Sequence, residues 1–370
     1  MKTRVVEFIG RIQDGGAETL VKDYALLLNK ELFEVVVLCE DYKKESSVYK
    51  TLRSNNIKIV SMYEPTFFIY KVLARLLGKK YIAKLFKKEI EKIKPDVIHS
   101  HLEVLEILYY AKESLNGIKL LFTCHNPPEM LIGNGRPKER DACRYLLDNI
   151  NLQIIALHKD MATEIEKMFN INDVAVIRNG IDFNRFRKIP ETKEEIRQKL
   201  GIPEDAYVIG QIGRFAYQKN PEFTIKVFNE LLKKKGNSYL LLIGRGKQEK
   251  ELRKYVLDLG ISDKVLFLIE RSDVPQLLKA MDVFVFPSRF EGFGIVLIEA
   301  QTVGVYCVTS DNIPVQAYQS KNITRLSLND PIEMWTEAIL TRKPNIEDYG
   351  NLDDYDMNKE IKHLEKLYLK

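Results

Sequence analysis

The sequence is poor in cysteine: Cys39, Cys124, Cys143 and Cys307 are isolated, with no C-x-x-C pair. That argues against a disulfide framework or a cysteine-rich zinc site and fits a reducing compartment. No stretch approaches the roughly 20 apolar residues that a membrane-spanning helix needs. The opening MKTRVVEFIG lacks the layout of a signal peptide, because Glu7 interrupts a short apolar run. No low-complexity segment or internal repeat is visible, and no HExxH or other metal-ligand spacing appears. A soluble, cytoplasmic protein without a resident metal or cofactor is the expectation. What is present is length and apolar content: 370 residues, 45% hydrophobic, enough for two buried cores.

The net charge of +5 is unevenly placed. Residues 66–94 carry nine Lys or Arg and two Glu, a local +7 that leaves the rest of the chain near −2. Within this segment Ile69, Val72, Leu73, Leu76 and Leu77 fall on one helical face, and Ile82, Leu85 and Phe86 continue the pattern after Gly78. Two readings coexist. One is a domain helix with a solvated lysine face; the other is a basic amphipathic helix on an anionic membrane at the inner face of the cell membrane. Because the charge sits on one apolar-faced segment, a nucleic-acid partner is not expected.

Short β-rich runs alternate with helical patterns from end to end. Strands are expected near Val5–Ile9, Glu34–Cys39, Ile57–Val60, Asp96–His99, Lys119–Thr123, Gln153–Ala156 and Val174–Ile177. A second series follows at Tyr207–Ile212, Tyr239–Ile243, Val265–Leu268, Val283–Phe286 and Val305–Val308. Helices are expected between them, among them 17–30, 159–169, 221–234, 248–259 and 294–302. Such alternation with short links predicts parallel sheets covered on both faces. The fold class is α/β, with two doubly wound Rossmann-like domains facing across a cleft. The expected division is residues 1–180, residues 181–345, and a tail at 346–370 ending in a helix that can return to the first domain. In such sheets ligands bind beyond the carboxyl ends of the strands.

Three segments carry chemistry. Gly15-Gly16-Ala17-Glu18 follows the first strand and opens a helix, so the backbone at Gly16 can approach a phosphate near free N–H groups. It is not a GxGxxG fingerprint, and any strand-to-helix turn can require glycine. Arg214 and Lys219 follow a strand end and precede Pro221. Arg as a bidentate fork and Lys as a point charge suit a diphosphate, and can stabilise it as it departs. The third segment, PSRFEGFGIVLIEA over 287–300, runs from strand through a glycine-containing loop into a helix. It sets Glu291 eight residues before Glu299, up to ~12 Å along a helix axis. That span suits the distance from the sugar to the ribose of a nucleotide sugar. The N–H groups of Gly292, Phe293 and Gly294 would face the charged end of the donor. Gly244-Arg245-Gly246 reads as a tight turn. Asp354-Tyr355-Asp356 matches an Asp-x-Asp pattern, but Asp356 is more simply a helix cap. Cys124 and His125 are neighbours on a strand end, where successive side chains diverge, which disfavours a Cys–His dyad.

The Glu291…Glu299 segment resembles the E-x7-E motif of retaining GT-B glycosyltransferases of family 4. The resemblance extends along nearly the whole chain: GGAE at 15–18, TCHN at 123–126, VIRNGID at 176–182, GRFAYQKN at 213–220, LLIGRG at 241–246 and DVFVFPS at 282–288. EAQ at 299–301 and SDNIP at 310–314 are most similar to bacterial exopolysaccharide and capsule enzymes.

The resemblance implies that Glu299 holds the ribose hydroxyls, and that Arg214 and Lys219 bind the diphosphate. It implies that Glu291 and the backbone of residues 292–294 meet the sugar, that Gly16 approaches the phosphates, and that His125 stands near the reacting centre. His101 could line the acceptor side, although structural roles for His99 and His101 are the simpler expectation. The implied reaction is metal-independent transfer with retention from a nucleoside-diphosphate sugar, UDP-linked, to a saccharide or lipid-linked saccharide. Val305-Tyr306-Cys307 and the 310–314 loop depart from the family pattern, which bears on the sugar more than on the reaction class. The alternatives are a nucleotide-sugar epimerase of related fold and a non-catalytic binding subunit.

Overall fold

A computed structural model describes residues 2–64, 67–269, 271–347 and 349–369. The chain forms two compact units. One comprises Met1–Asn179 with Asn358–Lys370, and the other Gly180–Met357.

The first unit holds a seven-stranded sheet: β1 (Thr3–Ile12), β2 (Phe33–Tyr42), β3 (Lys58–Ser61), β4 (Val97–His101), β5 (Lys119–Thr123), β6 (Gln153–Ala156) and β7 (Ala175–Val176). All its pairings are parallel, in the order β3-β2-β1-β4-β5-β6-β7. The second unit holds β8 (Tyr207–Ile212), β9 (Ser238–Ile243), β10 (Val265–Leu268), β11 (Val283–Phe286), β12 (Tyr306–Ser310) and β13 (Ile323–Leu326). Its order is β10-β9-β8-β11-β12-β13, again parallel throughout. In both sheets the order reverses beside the first strand, between β1 and β4 and between β8 and β11. That switch point is where a doubly wound sheet opens a crevice at its strand ends.

The central strands are apolar because helices cover both faces. Val283 and Val285 of β11 and Leu240 and Leu242 of β9 pack with Phe228 and Trp335 into the second unit's core. In the first unit Ile9, Val37 and Cys39 pack against Val21 and Ala25 of the Gly16–Leu27 helix. β1 and β2 run further than the apolar pattern indicates, because their pairing continues through Arg11↔Asp41 and Ile12↔Tyr42. β13 lies outside the expected strands: it is a short edge strand, and its Thr324 and Arg325 give no apolar run to read.

The basic segment divides in two. Its first residue, Thr66, lies outside the described residues. The helix Phe67–Leu77 ends before Gly78, whose φ of 68° breaks the helical path, and a second helix spans Lys79–Ile93. The second helix buries Ile82, Phe86, Ile90 and Ile93 and turns Lys80, Lys84, Lys87 and Lys88 outward. It is thus a core helix with a lysine face. The first leaves Phe68 (78% exposed), Ile69, Val72, Leu76 (74%) and Leu77 in the open. No helix among the described residues is long and apolar enough to cross a membrane.

Candidate active site

In the second unit two loops leave the switch point, one after β8 and one after β11, and they are tied together. The Arg289 N–H donates to the Gln218 carbonyl at 2.8 Å. Gln218 Nε2 donates to the Phe290 carbonyl at 3.1 Å, and the Arg289 guanidinium to Asn220 Oδ1 at 3.2 Å. Lys219 Nζ donates to Glu291 Oε1 at 2.6 Å. Beneath them, buried Gln211 accepts from Thr224 Oγ1 and donates to the Lys219 carbonyl, fixing the first loop to β8.

Each loop ends at a helix start that no side chain caps. Asn220, left-handed at φ 53°, precedes the helix Pro221–Lys234. Gly294, left-handed at φ 87°, precedes the helix Ile295–Val303. A β-carbon at Gly294 would also meet the Phe286 ring at 3.1 Å. The first N–H groups of each helix lack intrahelical partners and carry partial positive charge. A Lys beside two such helix starts makes a surface suited to an anion.

The structure therefore brings Lys219 and Glu291 into direct contact. Arg214 begins the same loop, exposed, with no side-chain partner among the described residues. Glu299 is half-buried in the second turn of the Ile295–Val303 helix. Gly292 and Gly294 flank Phe293, whose ring is buried and stacked on Tyr355 at 5.1 Å. The Phe293 ring is therefore not presented to a ligand. Gly244 and Gly246 form more than a turn: β-carbons there would lie 2.0 Å from the Gly213 carbonyl oxygen and 2.1 Å from that of Phe215. The loop after β9 thus lies directly against the loop bearing Arg214. Asp356 bridges to Ile181 and follows a short 3-10 turn, not a core strand.

In the first unit Gly16 opens the Gly16–Leu27 helix, and a β-carbon there would meet nothing within 4 Å, so the space above its backbone is open. His125 follows β5. Its Nε2 lies 2.9 Å from Nδ1 of His101, and His101 Nε2 lies 2.8 Å from Glu7 Oε2. Tyr368, on the helix Met357–Leu369, donates to Glu7 Oε1 at 2.7 Å and lies 2.6 Å from His99 Nδ1. His99 Nε2 in turn lies 2.7 Å from Thr123 Oγ1.

Burial alone would raise the Glu7 carboxyl, but the His99 and His101 imidazoles outweigh it and hold it down to about 2. Burial, and His99 next, push His101 down to about 4. Burial, followed by His101, likewise lowers His125 well below the usual imidazole value. His101 therefore lies in the core, supporting His125 rather than lining a surface. Ligand-type atoms of Glu7, His99 and His101 lie within 4.8 Å of one another, but each is already engaged by the bonds above. Cys124 is buried, its thiol pushed up and donating to the Asn126 carbonyl at 3.2 Å, so it forms no dyad with His125.

Glu7, Tyr368, Gln218 and Arg289 are participants that the motif reading left without a role. For Glu7 there was a signal: an acid inside an otherwise apolar central strand must be paired. A polar hollow of about 320 Å³ opens between Leu115–Ile118 and Leu147–Asn151. It lies at the amino ends of β5 and β6, opposite the strand ends that carry this chemistry.

Residues 14–185 match the model of Glycosyltransferase Family 4, and residues 192–341 that of Glycosyl transferases group 1. The chain is 34% identical over 167 residues to the putative glycosyltransferase EpsF of Bacillus subtilis, covering 45% of this chain and 44% of that one. It is 25% identical over 295 residues to the UDP-Gal:alpha-D-GlcNAc-diphosphoundecaprenol alpha-1,3-galactosyltransferase of Escherichia coli, covering 77% and 73%. With EpsF the chain thus aligns over less than half of the relative's length. In fold it is similar to Anabaena HepE in complex with UDP and glucose, with a TM-score of 0.77, 19% identity and 99% of each chain covered.

Proposed function

Since the chain belongs to glycosyltransferase family 4 and is a glycosyltransferase of the GT-B fold, we propose that it transfers a glycosyl group, with retention and without a metal, from a UDP-linked sugar to a saccharide or lipid-linked saccharide in surface polysaccharide synthesis. The observation that carries this reading is the pair of tied loops. Lys219 and two uncapped helix starts converge there, with exposed Arg214 alongside, which is the donor set a diphosphate requires. The UDP and glucose held by HepE and the lipid-diphosphate acceptor in the galactosyltransferase's name support the choice of substrates.

In the proposed reaction the bond between the sugar C1 and the β-phosphate oxygen breaks with oxocarbenium character. The acceptor oxygen bonds to C1 on the same face, and the acceptor's proton passes to the departing diphosphate. Arg214 and Lys219 stabilise the charge that develops on that diphosphate. Glu299 receives the ribose hydroxyls, and Glu291 with the main chain of 292–294 orients the sugar. From the first unit, the Gly16 backbone approaches phosphate and His125 meets a hydroxyl. The exposed stripe of Phe68, Val72 and Leu76, beside Arg75 and the lysine face of residues 79–93, is proposed to rest on an anionic membrane.

The test is a thermal-shift panel of nucleotide sugars, followed by mass analysis of products with lipid-linked acceptors and assignment of the product's anomeric configuration. Transfer with retention, undiminished by a chelator, is the expected result. Inversion of the anomeric centre, or epimerised donor without acceptor, would refute it.

A further inference from the structure

With all three imidazoles neutral, the buried chain of contacts around Glu7 admits one consistent assignment of protons. An ionised carboxylate only accepts. Tyr368 therefore donates to one Glu7 oxygen and His101 Nε2–H to the other. A neutral imidazole carries a single proton, so His101 Nδ1 is bare and must accept. The only group facing it among the described residues is His125 Nε2, at 2.9 Å, which must then be the donor. Having placed its proton there, the neutral His125 leaves Nδ1 bare. On the other branch Tyr368, its proton given to Glu7, accepts from His99 Nδ1–H, and His99 Nε2 accepts from the Thr123 hydroxyl. Every polar atom of the set except His125 Nδ1 is then used, and none conflicts.

His125 differs from the other members. His99, His101, Glu7 and Thr123 are fully buried, whereas His125 is only partly buried, and its Nδ1 has no partner among the described residues. The chain thus begins at the C-terminal helix, crosses the core and ends in one unsatisfied nitrogen at the carboxyl end of the sheet.

We propose that Glu7 and His101, steadied by Tyr368, fix the tautomer of His125 so that its Nδ1 accepts a hydrogen bond from a substrate hydroxyl. Glu7, His101 and Tyr368 are positioning residues in this scheme and touch no substrate. A bare nitrogen binds a hydroxyl and repels a phosphate oxygen, so the tautomer directs His125 to a sugar or acceptor hydroxyl and away from the diphosphate. An untethered imidazole would present N–H part of the time and lose that discrimination. The inference rests on the reading that His125 meets a hydroxyl in the transferase reaction.

The chain has five histidines, few enough for long-range proton–nitrogen NMR on protein labelled with ¹⁵N-histidine. A His125→Asn sample identifies the His125 signals. In the wild-type protein the proton of His125 is expected on Nε2, with Nδ1 bare. Glu7→Gln offers His101 an amide that can either accept or donate, so the His125 signals should move toward a tautomer mixture. The kcat should fall on the order of 10²-fold, in the direction seen when a catalytic histidine loses its orienting carboxylate, with the donor KM nearly unchanged.

A wild-type spectrum with the proton on Nδ1, or on both nitrogens, overturns the proposal without any variant, so failure of Glu7→Gln to fold does not shelter it. A folded Glu7→Gln protein with the His125 tautomer unchanged overturns the positioning chain and leaves the role of His125 standing. A shifted tautomer with transfer at the wild-type rate overturns the proposal through its premise, because His125 then meets no reacting hydroxyl.

Discussion

Replacing Lys219 by methionine removes the ammonium, 5.0 Å from the Phe286 ring centre, while keeping most of the stem that lies against Gly213. The Glu291 side chain is only 6% exposed, and its partner 17%. Stripping the counter-ion from a fully buried carboxylate costs about 3–5 kcal/mol. Water reaching this lysine should reduce that to roughly 2–3 kcal/mol. For a unit of this size about 1 kcal/mol moves the melting temperature by roughly 2–4 °C, so Lys219→Met should melt on the order of 5–10 °C lower. Glu291→Gln should cost less, because the ammonium it leaves behind is wetter. The double variant should recover roughly 1–2 kcal/mol of the summed losses, the signature of a coupled pair. Calorimetry with UDP and with uridine adds the functional arm. Losing one charge-assisted bond, worth about 1.5–3 kcal/mol, should weaken UDP roughly 10- to 100-fold and leave uridine almost unaffected. Two results would refute the reasoning: single and double variants adding to within about 0.5 kcal/mol, or equal losses for nucleotide and nucleoside.

The same structure supports three further expectations. Glu299→Ala should raise the donor KM roughly 10- to 100-fold, the loss of a charged bond to ribose, while kcat stays close to wild type; an unchanged KM in steady-state assays would remove Glu299 from the ribose site. Gly244→Ala places a β-carbon 2.0 Å from a backbone oxygen at a φ of 141°, so it should cost at least about 3 kcal/mol, and a near-native urea midpoint would contradict the close packing of the two loops. On the acid side, His101 sits at about 4 in the fold against 6.5 when unfolded, so unfolding takes up a proton. Its contribution is complete above pH 6.5 and is lost as pH falls to about 4, on the order of 3 kcal/mol. Glu7, at about 2 against 4.5, adds a second loss between those values; a melting temperature constant between pH 7 and 4 would count against the His101 contribution, and one constant below pH 4.5 against that of Glu7.

Much of this architecture is written in local pattern. Strands such as Val283–Phe286 are continuous apolar runs because both faces are covered, and a run of that kind can be read directly. Ile323–Leu326 could not be, since an edge strand with Thr324 and Arg325 satisfies its pairing without apolar content. Lys219 and Glu291 were recognisable as chemistry because each sits beside a glycine-bearing loop at a strand end. Their contact was not, because 72 residues separate them and no periodicity encodes a tie between two loops. Glu7 announced itself only as an interruption of an apolar strand, while its partners come from β4 and from a tyrosine 361 residues away. The basic segment misled by continuity. One apolar stripe appeared to run through Gly78, but that residue's left-handed backbone divides it into an exposed helix and a buried one.

The Tyr368 bond to Glu7 bears on synthesis as well as on the folded state. Residues 180–357 are contiguous and can fold as they leave the ribosome, whereas residues 1–179 must wait for the helix Met357–Leu369. Until then Glu7 lies in a nascent core without its tyrosine donor, and the Phe33 ring lacks the Tyr368 ring that packs against it. Residues 1–179 are thus made before 180–357 yet completed after them, which leaves apolar surface exposed for longer during synthesis. Removing the helix Met357–Leu369 would therefore injure the unit built from residues 1–179, not the unit that directly precedes that helix in sequence.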